Sequence, residues 1–230
     1  MGDKVGGNVS WLFFSDKSHK TATVARDPSE ELVKAADLVI KADFSDASNI
    51  EAIFDEVKEK LGVPNVVVYN AYANPMGASG DPLTIPLNDF VDGLNTNMIS
   101  PYAPMSEASS GFKELPQEIR KTFIYTGNLC MHLTMPVAMN LALGKRGVGH
   151  MIENAVMLYE KEGYNFYFAD ERFPDASPMY QSLNGDAHAE FYYELATKKD
   201  QGPWEATFVK GQGYVDFEGR IGVIPKIGDA

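Results

Sequence analysis

Apolar residues recur along the chain in two alternating rhythms, short β-rich runs and longer stretches at helical spacing. Thr21-Ala22-Thr23-Val24-Ala25 reads as a short buried strand, and the turn Arg26-Asp27-Pro28-Ser29 leads into a helix that Ser29 is placed to cap. Residues 38–42 form a second strand, ended by the polar turn Asp43-Phe44-Ser45-Asp46. From Ala47 to Leu61 the apolar residues Ile50, Ile53, Phe54, Val57 and Leu61 fall on one helical face, with acids and lysines between them. Gly62-Val63-Pro64 stops that helix, and Val66-Val67-Val68-Tyr69 follows as the continuous apolar run of a parallel strand buried on both faces. The alternation continues with a helix over 90–110, a strand over 122–125, a helix over 137–162, a strand over 164–168, a helix over 188–198 and an extended segment over 205–209. Strand and helix at this spacing predict an α/β fold, a Rossmann-like doubly wound parallel sheet, in one domain spanning residues 1–230.

Composition narrows the function classes. A chain of 230 residues with 44% hydrophobic residues can bury the core of one large domain. No run approaches the roughly 18 to 20 apolar residues of a membrane span, and the N-terminus has no signal-peptide pattern, so a cytoplasmic protein without a membrane partner is expected. The single cysteine, Cys130, excludes an internal disulfide and a cysteine-built zinc site, and it reads as a small buried hydrophobe. With 20 basic and 32 acidic residues the net charge is -12, which repels a phosphate backbone and argues against nucleic acid as a partner. His19, His132, His150 and His188 share no metal-ligand spacing, so no metal site is expected.

In a doubly wound sheet the ligand crevice lies beyond the carboxyl ends of the strands. The residues there are Arg26 and Asp27, Asp43 and Phe44, Asn70 to Ala73, Thr126 to Asn128, and Asp170 to Asp175. In this order they resemble the short-chain dehydrogenase/reductase family, in particular divergent fungal-type members, over about residues 5 to 180. Asp43-Phe44 is similar to the family's adenine-binding aspartate, and Asn70-Ala71-Tyr72 to the Asn-Ala-Gly turn at the floor of the cofactor site. Asn97 falls at the helix asparagine that helps hold a proton-relay water, Lys145 at the catalytic lysine, and Pro174-Asp175 at the Pro-Gly turn. The resemblance implies an oxidoreductase that uses NADP(H) or NAD(H) on a small carbonyl or alcohol, often as a homo-oligomer paired through its long helices.

Two departures set the chain apart. The family places Tyr and Lys at i and i+4 on one helical face, so that the ammonium lowers the pKa of a proton-donating phenol. Here Leu141 stands in the Tyr position, and leucine carries no proton to exchange. The family's serine aligns with Asn128 if the spacing to Leu141 is kept, or with Thr126 if the turn is shifted; either can donate a hydrogen bond to a substrate oxygen. The second departure is at the N-terminus. Gly6-Gly7-Asn8-Val9-Ser10 reads either as the end of a phosphate-binding turn, with Gly7 and Asn8 against the pyrophosphate, or as a flexible terminus. The five residues before Gly6 are too few and too polar for a central strand, so the sheet is expected to be N-terminally truncated unless something else fills the gap.

Arg26, directly after a strand, suits a cofactor 2'-phosphate and favours NADP, or it is a solvated turn residue. His132, in the loop between Asn128 and Leu141, is the one histidine placed near substrate, and Tyr72, Tyr102 and Tyr125 are the tyrosines that the pocket can draw on. Two functions follow from these features. One is a nicotinamide-dependent oxidoreductase; the other is a redox-inactive relative working as a cofactor-free lyase, isomerase or cyclase, or as a binding protein.

Overall fold

The computed structural model describes residues 19–222. Gly7, Asn8 and the rest of the glycine-rich segment lie outside the described residues. In chain order the elements are β1 (Ala22–Ala25), α1 (Glu30–Ala35), β2 (Leu38–Lys41), α2 (Ile50–Leu61), β3 (Val66–Tyr69), α3 (Leu87–Leu94), α4 (Ser100–Phe112) and β4 (Lys121–Thr126). Then come α5 (Met139–Tyr159), β5 (Tyr164–Glu171), α6 (Gly185–Thr197), β6 (Glu205–Val209) and β7 (Gly213–Tyr214). Ser29 caps α1 as its sequence position predicts, its side chain accepting from Leu32 N–H.

β1 and β2 pair in parallel, with Ala22 opposite Leu38, and β3, β4, β5 and β6 form a second parallel set that the antiparallel β7 closes. Among the described residues no strand joins β1 to β3. Parallel pairing follows from the apolar runs, because consecutive side chains leave a strand on opposite faces and both faces here are covered. Ile124, Tyr167, Ala169 and Phe208 pack against Phe191, Tyr192 and Leu195 of α6. On the other face, Phe123, Tyr125, Phe166 and Phe168 pack against Phe112 of α4 and Val148 and Ile152 of α5. Each buried Phe, Leu, Ile or Val among them contributes roughly 1.5–3 kcal/mol on burial. Tyr69 stands opposite Tyr125 in the register, and Tyr125 opposite Phe168. The residues that follow, Asn70, Thr126 and Ala169, therefore share one edge.

The helix predicted over 90–110 runs from Leu87 to Phe112 but is broken by a π-turn at Asn95–Ile99. Pro101 explains part of this, since it has no N–H to give the carbonyl of Asn97 four residues earlier. Tyr125 Oη donates to that carbonyl instead, at 3.2 Å. α5 crosses this turn at Gly144, where a Cβ would lie 2.3 Å from Asn97 Cβ, so only glycine permits the approach. β5 is three residues longer than predicted, because Ala169, Asp170 and Glu171 continue it. Among the described residues no helix is long and apolar enough to cross a membrane.

Candidate active site

Between β1 and β3 lies a cleft of about 1350 Å³ whose rim carries Arg26, Asp43, Phe44, Asn70, Ala71 and Tyr72. Four residues predicted to touch a cofactor, Arg26, Asp43, Asn70 and Ala71, thus come together at one opening. Asp43 Oδ1 accepts from Ser45 N–H at 2.9 Å. That bond, with a smaller contribution from the Arg26 charge, lowers the Asp43 carboxyl below its usual range, so it stands ionised on the rim. Phe44 packs edge-on against Tyr69, and its carbonyl accepts from Ser100 Oγ, which ties the rim to α4.

A second cluster lies at the carboxyl end of β4. Lys145 and Leu141 occupy one face of α5 a turn apart, 4% and 7% exposed. Lys145 Nζ donates to Thr126 O at 2.7 Å and sits 4.3 Å from the centre of the Tyr125 ring. Burial lowers its pKa from 10.5 to about 8, against the smaller opposing effects of Cys130 and Asp170. Thr126 Oγ1 lies 2.7 Å from Tyr192 Oη. Asn128 Oδ1 accepts from Cys130 N–H at 3.0 Å, capping the short turn Leu129–Met131. Cys130 is half-buried, and burial pushes its thiol up.

Asn97 links the two clusters. Its Oδ1 accepts from Ala73 N–H at 2.9 Å, while its Nδ2 donates to Ala73 O at 2.7 Å and to Asn140 Oδ1 at 3.3 Å. The side chain clamps the loop after β3 to α5, and every polar atom of it is engaged in that clamp. Pro174 stands elsewhere. It is exposed at the tip of a small hairpin over 172–178, where Asp175 Oδ1 accepts from Ser177 N–H and Ala176 adopts a φ of 72°. His132 Nε2 pairs with Glu205 Oε1, Tyr102 is exposed on α4, and Tyr125 is the fully buried platform under Lys145.

Sequence patterns do not single out Tyr192, and they place Asp170, Glu171 and Arg172 only as part of the crevice segment 170–175. Asp170, Glu171 and Arg172 read as turn residues after β5, yet all three are buried. Separate pairings permit it: Arg172 Nε donates to Asp170 Oδ2 at 2.7 Å, while Glu171 Oε2 accepts from Asn184 N–H at 2.8 Å and lies 3.2 Å from His188 Nδ1. The available signal was the lack of any Gly, Pro or Asn between Phe168 and Arg172 to end the strand.

No family model matches the chain. Among solved structures, its fold is similar to a metagenomic short-chain oxidoreductase in complex with NADP, with a TM-score of 0.73 and 16% identity over 90% of this chain and 91% of that one. It is also similar to a 3-oxoacyl-[acyl-carrier protein] reductase from Brucella melitensis, with a TM-score of 0.70 and 13% identity over 84% and 87% of the two chains. In sequence it is 37% identical over 227 residues, 94% of this chain and 92% of the relative, to the short chain dehydrogenase/reductase dmxR12 of Cryptosporiopsis sp. (strain 8999). Similarity at that level across nearly the whole length, on a matching Rossmann-like sheet, means that the chain belongs to the short-chain dehydrogenase/reductase family.

Proposed function

We propose that this chain is an oxidoreductase that uses NADP(H), or NAD(H), on a small carbonyl or alcohol substrate. The observation that carries the reading is the meeting of a buried lysine amine with a threonine at the carboxyl end of β4, beside a cleft rimmed by Arg26 and Asp43. The donor set suits a nicotinamide dinucleotide. The exposed Arg26 guanidinium would pair with a 2'-phosphate, the ionised Asp43 would accept from an adenine amino group, and apolar Ile53 and Val66 line the cleft below. Solved neighbours support it too: the metagenomic oxidoreductase was solved in complex with NADP, and 4-hydroxyisoleucine dehydrogenase, at a TM-score of 0.62, with NADH.

When bound, the cofactor supplies or accepts the hydride. Lys145 gives one N–H to Thr126 O, and its other two would serve the ribose and the substrate oxygen. Leu141 offers no proton, so the Lys145 ammonium is the acid in carbonyl reduction, and Thr126 or Asn128 steadies the oxygen as charge develops on it. Exposed apolar side chains at Ile99 and Tyr102, and at Leu143 and Met157 of α5, favour a homo-oligomer.

The ammonium form does the work, and it is lost as pH rises through about 8. Initial rates of NADPH oxidation with 2,3-butanedione are therefore expected to stay level below that pH and then fall by about tenfold per unit above it. A rate that ignores pH across this range would remove Lys145 from the proton step. Turnover of substrate without any nicotinamide would replace the oxidoreductase reading with a cofactor-free one.

A further inference from the structure

Tyr192 is a buried, titratable side chain that the proposed chemistry leaves unused. It is 1% exposed on α6, and its Oη lies 2.7 Å from Thr126 Oγ1. Either hydroxyl can be the donor in that bond, and the surroundings decide which is. Among the described residues Tyr192 Oη has no second hydrogen-bond partner, and the nearby Glu171 Oε1 is itself without one, so it is not the phenol's acceptor. If Thr126 donated, the phenol proton would be buried with nothing to accept it, at a cost of about 1–3 kcal/mol. If Tyr192 donates, the proton left over belongs to Thr126, which is only partly buried at the end of β4 and can turn it toward the crevice. Burial pushes the Tyr192 pKa up, against the opposing effect of the Thr126 hydrogen bond and with smaller help from the charges of Asp170 and Glu171, so the phenol keeps its proton at working pH. Lys145 meanwhile holds the carbonyl of the same threonine. Thr126 is thus fixed through both its backbone and its side chain.

We propose that Tyr192 is a positioning residue that makes the Thr126 hydroxyl a donor facing the crevice, so that Thr126, in preference to Asn128, steadies the substrate oxygen. This rests on the reading that carbonyl chemistry takes place at this edge of the sheet. Preorganised donors of this kind lose much of their effect when their orientation is released.

The test uses the whole chain with NADPH and 2,3-butanedione, alongside an NADPH-binding titration. Tyr192→Phe keeps the ring and removes Oη; it is expected to lower kcat by about 10- to 100-fold while KM stays within about threefold. Thr126→Val should lose a similar amount and Thr126→Ser little. The double variant should be no worse than the poorer single one, because both remove the same donor. A purely structural tyrosine would lower the unfolding midpoint and leave kcat within about twofold, or its loss would multiply with that of Thr126→Val. Either result overturns the proposal. A second arm needs no turnover. With tyrosine labelled at Cζ, the NMR signal of Tyr192 in mixed H₂O and D₂O should split through slow hydroxyl exchange in the wild type and in Thr126→Ser, and collapse in Thr126→Val. A Tyr192 hydroxyl that exchanges as fast as that of exposed Tyr102 sinks the pairing itself. A wild type that neither binds nor oxidises NADPH removes the oxidoreductase reading instead, so the two failures are told apart.

Discussion

Lys145→Met is expected to stabilise the fold by about 1–3 kcal/mol while lowering NADPH-dependent turnover by at least about 100-fold. A free lysine side chain titrates at 10.5 and the buried Lys145 at about 8, so the fold disfavours its charge. At neutral pH the group is cationic in both folded and unfolded states, and the folded state carries a penalty of about 3 kcal/mol. That penalty fades as pH rises from 8 toward 10.5, where the folded form becomes neutral first. Methionine has a similar length and no charge to bury; it leaves Thr126 O without its donor, which offsets part of the gain. Function is lost because methionine carries no proton to give the substrate oxygen. Urea unfolding and NADPH oxidation on the same samples check both halves. A variant that is both inactive and less stable would mean that the amine is held by more favourable contacts than Thr126 O and the Tyr125 ring supply.

Arg172→Met should act in the opposite sense, costing about 3–5 kcal/mol. Arg172 is 3% exposed and joins three segments: Nε donates to Asp170 Oδ2 at 2.7 Å, Nη2 to Glu205 Oε1 at 3.3 Å, and Nη1 to Arg220 O at 3.3 Å. Its guanidinium also lies over the Phe217 ring. Removing it strands Asp170, which is 2% exposed and whose carboxyl burial already pushes up. A carboxyl raised in the folded state favours folding at low pH and loses that contribution as pH rises, so the deficit of the variant should be larger at pH about 8 than at about 5. Urea midpoints at the two pH values test this. A loss under about 1 kcal/mol at both would show that the charge cluster contributes little to joining β5 with β6.

Much of this was legible from the order of the residues. The runs 66–69 and 205–209 became β3 and β6 at the predicted bounds, each begun two residues after a proline, Pro64 or Pro203, that ends the segment before it. The structure sets Gly144 of α5 against Asn97 at a close helix crossing, 47 positions apart in the chain. Three features escaped for physical reasons. The π-turn depends on a carbonyl that Pro101 frees and Tyr125 takes, a partnership across 28 positions. The charged end of β5 looks like a turn until Arg172 is seen between Asp170 and Glu205. Tyr192 sits in a helix whose pattern reads as core packing, and only the fold sets its hydroxyl against Thr126. Spacing alone left Thr126 and Asn128 as equals, because a side chain's hydrogen-bond direction has no one-dimensional signature.

If Arg26, Asp43, Asn70 and Lys145 frame a nicotinamide-cofactor site, as proposed, the chain binds the free nucleotide. The direct measurement is a fluorescence titration of the whole chain with NADPH and, separately, with NADH. Saturable binding with a Kd between about 1 μM and 1 mM is expected, tighter for NADPH because Arg26, at the mouth of the cleft, would pair with a 2'-phosphate. No saturable binding of either nucleotide would mean that these residues do not form such a site.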